Sequence, residues 1–350
     1  MIDFSEARLT TLAVHKVGNK VRDEGVIAAE SLFELDDVMM EALQEHFLTA
    51  FKSEEFFKFE HEEGLEAHEL NSFCRNIFTQ SRDAFLEQSK LILMHLYGVS
   101  VHPHIKSGDV FIAHFRECEI DGQPLEAIGI FKTENKDTFL KSQVSAAEVK
   151  LSLEEGTPLK RIDKGCLVFN TFQDDGYSIL MVDRSSEDTH FWREDFLQVS
   201  RIQDQSYQTQ SFLHMTKEFC EEVLAPEHDR KEQVVFLNRS LNYFAQNPEL
   251  NMEEFKREAL ETPSQREAFE DYRQSYAESL GDGGFEDGFP ISKYAVRRMK
   301  REFKSLISLD TNIEIRLNTR NVQEAADYME KGFDQQRGMH YYKVFFWEEE

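Results

Sequence analysis

The sequence predicts an α+β protein: an antiparallel sheet built from hairpins with flanking helices, followed by a mainly helical C-terminal region. Three observations carry this. Apolar residues recur at helical spacing before residue 100, two pairs of β-rich runs joined across Asp-Gly lie between 109 and 182, and helical spacing returns after residue 208. Helices grouped before and after hairpins favour α+β over a wound α/β fold. Two domains are expected, 1–207 with the hairpins and 208–350 mainly helical, since 350 residues exceed the usual size of one.

Along the chain, residues 12–20 read as a strand entering a Gly18-Asn19 turn. Ser31 and Glu34 have capping-box spacing ahead of Leu35, Val38, Met39, Ala42, Leu43, Phe47, Ala50 and Phe51, which predicts a helix. A second long helix is expected from near His68 to Tyr97, with Leu70, Phe73, Ile77, Phe78, Phe85, Ile92, Leu93 and Leu96 as its apolar positions and Gly98 as its stop. The period then changes. Residues 109–115 and 127–131 are β-rich and joined across Asp121-Gly122, and residues 166–172 and 177–182 are joined across Asp175-Gly176.

Beyond Gln208, Phe212, Met215, Phe219 and Val223 predict a helix stopping near Pro226, and Val234, Leu237, Leu241 and Phe244 a second stopping at Asn247-Pro248. Asn251 caps a short helix through Leu260, and Thr262-Pro263 opens another reaching Leu280. Gly281-Asp282-Gly283-Gly284 is a break. Residues 312–317 and 341–347 read as strands, and so aromatic a run as the latter is expected to be buried.

The chain carries a net charge of −26, and residues 30–69 hold thirteen Asp/Glu against Lys52 and Lys58. One segment breaks that trend. Residues 290–320 contain eight Lys/Arg against three acids, a local net of +5. At helical spacing Val296, Met299 and Phe303 share one side, while Lys293, Arg297, Lys300 and Lys304 share another, flanked by Arg298 and Arg301. A phosphate polymer is repelled by the average surface, so a contact with nucleic acid requires a patch of this kind. The competing reading is a solvated amphipathic helix.

No stretch is apolar enough for a membrane span, and the N-terminus lacks the basic start and apolar core of an export signal, so a cytoplasmic location is expected. The four cysteines (74, 118, 166, 220) are widely separated, without C-x-x-C, and read as small core residues in a reducing compartment.

The order of elements, the segment Phe191-Trp192-Arg193-Glu194-Asp195-Phe196-Leu197, the basic helix, Ile307-Ser308-Leu309-Asp310 with Ile313-Glu314-Ile315, and the closing Tyr341-Tyr342-Lys343-Val344-Phe345-Phe346 together resemble the bacterial nucleoid-associated protein family of the NdpA type. The similarity spreads over nearly the whole chain and rests on no short diagnostic motif. It implies a cytoplasmic protein at the nucleoid that binds duplex DNA, with no catalytic residue or cofactor to carry over. Other nucleoid or DNA-processing proteins are further candidate partners, and a homodimer would double the basic surface.

Two other classes stay open. Asp121 with Glu134-Asn135-Lys136 mimics the Asp…Glu-x-Lys of metal-dependent nucleases, with two carboxylates for Mg²⁺ and Lys136 to position a water. The acidity suits a protein-interaction module. His102 and His104 can share one side of a strand, but no third metal ligand accompanies them and no metal is expected. There is no phosphate-binding Gly-Lys-Ser/Thr loop and no Gly-x-Ser-x-Gly.

Overall fold

Residues 2–80, 82–145, 148–184, 191–225, 230–280, 287–300, 303, 306–308, 311, 313–316 and 328–348 are described by a computed structural model. The chain divides into two compact units, Met1–Ile202 and Gln203–Glu350.

The first unit runs β1 (Ile2–Asp3), β2 (Arg8–Val17), β3 (Val26–Ile27), α1 (Asp37–Leu48), β4 (Phe57–Phe59), α2 (Glu69–Thr79), α3 (Arg82–Val99), β5 (Gly108–Ile120), β6 (Gln123–Thr133), β7 (Asp137–Ser145), β8 (Glu148–Gly156), β9 (Lys164–Phe169), β10 (Ser178–Asp183) and β11 (Val199–Arg201). Its main sheet has the order β11-β4-β10-β9-β6-β5-β2-β3, with β1 also pairing β5. Every pairing is antiparallel. The fold class is α+β, as the hairpins require.

Both faces of this sheet are covered. Val110, Ile112, Ile128, Ile130, Cys166 and Val168 pack with Leu70, Cys74, Ile92, Leu93 and Leu96 of α2 and α3. The alternate positions Ala113, Phe115, Phe131, Leu167 and Phe169 pack with Leu43 and Phe47 of α1, whose Phe47 ring stacks on Phe131 at 4.3 Å. A strand buried on both faces reads as a continuous apolar run, and β9 buries all six of its residues. The four cysteines are buried free thiols, and burial pushes those of Cys118 and Cys166 up to about 12.

The two expected hairpins form, with different turns. Ile120 pairs Gln123 across Asp121 and Gly122, which have φ of 52° and 76°, the two-residue turn whose twist suits antiparallel strands. In the second, Phe169 pairs Ser178, so the connection spans residues 170–177 rather than Asp175-Gly176 alone. Gly176 has φ 96°, and a Cβ there would lie 2.4 Å from the Phe59 carbonyl oxygen. The glycine lets β4 approach closely enough for Phe59 N–H to donate to Gly176 O at 2.8 Å.

Helix boundaries differ from expectation in two places. The first helix begins at Asp37, capped by Asp36, whose carboxylate accepts from Met39 N–H at 2.7 Å, and not at Ser31. The long second helix is two helices, because Gln80 is extended and ends α2. Several strands lie outside the runs that read as β, among them β1, β3, β4, β7, β8 and β11. β7 and β8 form a separate two-stranded ribbon with nine register pairs.

The second unit contains α4 (Gln205–Phe219), which continues into a wider turn at Cys220–Leu224, then α5 (Arg230–Gln246), α6 (Met252–Ala259), α7 (Pro263–Leu280) and α8 (Lys293–Met299). Hairpins β12 (Leu306–Ser308) with β13 (Glu314–Arg316) and β14 (Met329–Asp334) with β15 (Met339–Val344) follow. Asn251 caps α6 by accepting from Glu254 N–H, and Thr262 Oγ1 accepts from Gln265 N–H before α7. Phe212 sits among Phe244, Phe255, Phe269 and Phe289, with ring centroids 5.2–6.2 Å away. The break at 281–284 lies outside the described residues.

The terminal aromatic run is not buried. β15 ends at Val344, and Tyr341, Val344, Phe345, Phe346 and Trp347 are all exposed, Trp347 at 88%. The β14–β15 hairpin has two strands only, so much of its aromatic surface lacks a covering layer, although Met329 and partly buried Tyr342 pack beside Val234.

Candidate nucleic-acid interface

The basic segment forms a helix for local reasons. Ser292 has extended backbone and its hydroxyl accepts from Ala295 N–H at 3.3 Å, satisfying a first-turn donor. Ser292 N–H donates in turn to Thr209 Oγ1 of α4 at 3.0 Å, which fixes where α8 starts. Ile291 N–H donates to Pro248 O and Leu250 N–H to Phe289 O, anchoring the entry. Ala295, Val296 and Met299 are buried, and Val296, Met299 and Phe303 join the aromatic core around Phe212. The apolar side expected from periodicity is therefore the docked side.

Docking decides the fate of each cation. Lys293, Arg297, Arg298 and Lys300 are all exposed. Lys293 is used differently. Its Nζ donates to the carbonyl oxygens of Phe244, Ala245 and Asn247 at 3.2, 2.9 and 2.6 Å, so the ammonium closes the C-terminal end of α5. Cations are favoured there because the last helical carbonyls lack N–H partners. Burial lowers the Lys293 pKa from the ordinary lysine value. Arg301 and Lys304 lie outside the described residues. The ordered helix ends at Met299 with Lys300 as its cap.

Among the described residues of this unit, several cations pair with acids. Lys256 pairs with Glu253 at 2.5 Å and with Glu270 at 3.2 Å, and Arg273 pairs with Glu270 at 2.6 Å and with Asp287 at 3.0 Å. One cleft here sets Lys256, Arg257 and Arg266 against Glu253 and Glu254, and a second sets Lys256 and Arg273 against Glu253, Glu270 and Asp287, so neither is strongly basic.

The nuclease constellation does not assemble. Asp121 lies in the β5–β6 turn and Glu134 follows the far end of the 11-residue β6, so roughly 35 Å of strand separates them. Two carboxylates sharing one Mg²⁺ must both stand within bonding reach of it. Glu134 is instead 2.6 Å from the buried Lys132 ammonium, which also donates to Lys106 O, and Lys136 lies 3.5 Å from Asp109. His102 and His104 are exposed, and no group of three His, Cys, Asp or Glu suited to a metal occurs among the described residues. No helix among the described residues is long and apolar enough to cross a membrane.

What fold and surface define is an α+β protein with a twice-covered antiparallel sheet in one unit and, in the other, a docked helix exposing cations from an acidic chain. The chain belongs to the family described as nucleoid-associated protein YejK, whose model matches residues 13–336. A comparison with curated proteins found no match.

Proposed function

We propose that the protein is a non-enzymatic, cytoplasmic, nucleoid-associated protein that contacts duplex DNA through the phosphates. Arg297, Arg298 and Lys300 of α8 make the contacts, with Arg301 and Lys304 in the same basic run. The observation that carries this reading is the orientation of α8. Its apolar side is sealed against α4 and the phenylalanine core, which leaves Arg297, Arg298 and Lys300 exposed on a chain of net charge −26. Such cations favour phosphate polymers without reading bases, so binding is general in sequence and weakened by salt.

Lys293 is removed from the contact set by its three carbonyl partners. It serves the interface by holding α8 against the end of α5. Family membership supports the nucleoid assignment.

The test is a salt-series titration on unrelated duplexes. Replacing Arg297 and Lys300 by Gln should flatten the slope of log affinity against log salt by about 1.8, since each neutralised phosphate contributes roughly 0.9. At ~0.15 M salt that corresponds to an affinity loss of about 30-fold on every sequence. An unchanged slope refutes the contact. Incubation with divalent ions should leave the duplex intact; cleavage by the purified protein refutes the non-enzymatic reading.

A further inference from the structure

The β7–β8 ribbon has two unlike sides. Register pairs Leu140 with Leu153, Ser142 with Leu151 and Val144 with Val149, and directly opposed residues of an antiparallel pair share a face. That face carries Leu140, Val144, Val149, Leu151 and Leu153, each between 62% and 79% exposed. Thr138 and Glu155 end it, and Glu155 is its one charged position. The opposite face holds Lys141, Gln143, Lys150, Ser152 and Glu154, with an ion pair between Lys141 and Glu154 at 3.1 Å, and one large apolar side chain, Phe139, beside Gly156.

A two-stranded hairpin alone is marginally stable in water, and strands acquire stability when a hydrophobic face is covered. The five aliphatic side chains expose on the order of 550 Å², above the few hundred Å² that a monomer usually leaves open in one patch. We propose that this face is a self-association surface, closed by the same face of a second copy of this chain.

The choice of occupant follows from charge and area. An isologous contact lays each residue type against its own kind, so a charged face repels itself whereas an aliphatic one is self-complementary. The chain's −26 opposes close approach of two copies, and the face of this ribbon is a place where that repulsion is locally absent. Two such faces together remove about 1,100 Å² before the polar margins are counted, near the ~1,200 Å² at which specific interfaces begin. The contact is thus sized for a reversible dimer. Two ribbons packed face to face make a four-stranded sandwich with a sheet spacing of about 10 Å. A twofold axis passes near the central Ser142–Leu151 pair.

The experiment needs no DNA and is independent of the phosphate-contact reading. Sedimentation of the full chain should show a concentration-dependent monomer–dimer equilibrium. Leu151→Lys combined with Leu153→Lys should raise the dissociation constant by at least ~100-fold, because each change occurs twice in a symmetric dimer. Gln143→Lys, on the opposite face, should leave it unchanged. Cross-linking supplies a readout that does not disturb the ribbon. The four native thiols are buried. Ser142→Cys should therefore form an intermolecular disulfide under mild oxidation, and Gln143→Cys should not. A wild-type chain that sediments as a monomer at high micromolar concentration overturns the proposal. So does a dimer indifferent to the double lysine variant, or one in which Cys at 143 cross-links as readily as Cys at 142.

Discussion

Lys293→Met separates the two jobs a cation can do on α8. The substitution keeps an apolar stem of similar length and removes the ammonium that donates to Phe244, Ala245 and Asn247. A cation at a helix C-terminus contributes about 0.3–1 kcal/mol. The hydrogen bonds made by the charge add to this, but water can reach the freed carbonyls, so the total loss is about 1–2 kcal/mol. The loss is local to the end of α5 and the start of α8. Hydrogen exchange followed by mass spectrometry should show amides of residues 243–250 exchanging about 5–30-fold faster, with the strands of the first unit unchanged. In the DNA titration the variant should keep the wild-type salt slope, because no phosphate contact has been removed, while its affinity falls with the loosened helix. Unaltered exchange at 243–250 would show that the ammonium is not holding α5. A slope flattened by about 0.9 would place Lys293 on a phosphate and refute its role as a helix-end clamp.

Gly176→Ala should destabilise the first unit by about 2–3 kcal/mol, since φ 96° and a Cβ 2.4 Å from Phe59 O both oppose the new methyl; urea titration monitored through buried Trp192 measures it. His15 accepts from Ala29 N–H at Nδ1 and lies 3.1 Å from Ser89 Oγ at Nε2, an arrangement that suits the neutral ring. Burial, followed by the nearby Lys90 charge, lowers its pKa to about 4. Its folded pKa is depressed, so its stabilising contribution is complete above the unfolded value of about 6.5 and is lost as pH falls towards 4. After discounting for solvent screening this amounts to about 2 kcal/mol, and His15→Gln should shrink the drop in unfolding free energy between pH 6.5 and 4. Iodide should quench Trp347 and spare Trp192, with Trp347→Phe abolishing the quenchable fraction; a variant that retains it would show that the terminal run is covered.

Signals confined to a few neighbouring residues were legible in the sequence. Asp121-Gly122 specifies its turn through two positive φ values, Asn251 and Thr262 cap the helices they precede, and 296, 299 and 303 mark the docked side of α8. Features decided by distant parts of the chain were not. Capping-box spacing at Ser31 lost to Asp36, whose own carboxylate cap starts α1. The loop at 170–177 is long because β4 packs against Gly176, a contact 117 residues away in sequence from Phe59. Lys293 has the right spacing for the basic side, yet its partners belong to α5, and spacing within one helix contains no information about them. The β7–β8 ribbon did leave a trace, the alternation of Val149, Leu151 and Leu153 with Lys150, Ser152 and Glu154. Alternation normally points one face inward, whereas here Val149, Leu151 and Leu153 stay exposed.

The pairing of β2 with β5 also sets a schedule for synthesis. Leu9 and Leu12 oppose Phe115 and Ala113, so the second strand of the chain has no long partner until more than 100 further residues have been made. At about 5–20 residues per second on the ribosome, that interval is on the order of 5–20 s. During it β2 displays Leu9, Leu12, Ala13 and Val17, apolar side chains that end almost fully buried. The acidic stretch at 30–69, made next, adds like charge that opposes close approach of two such chains.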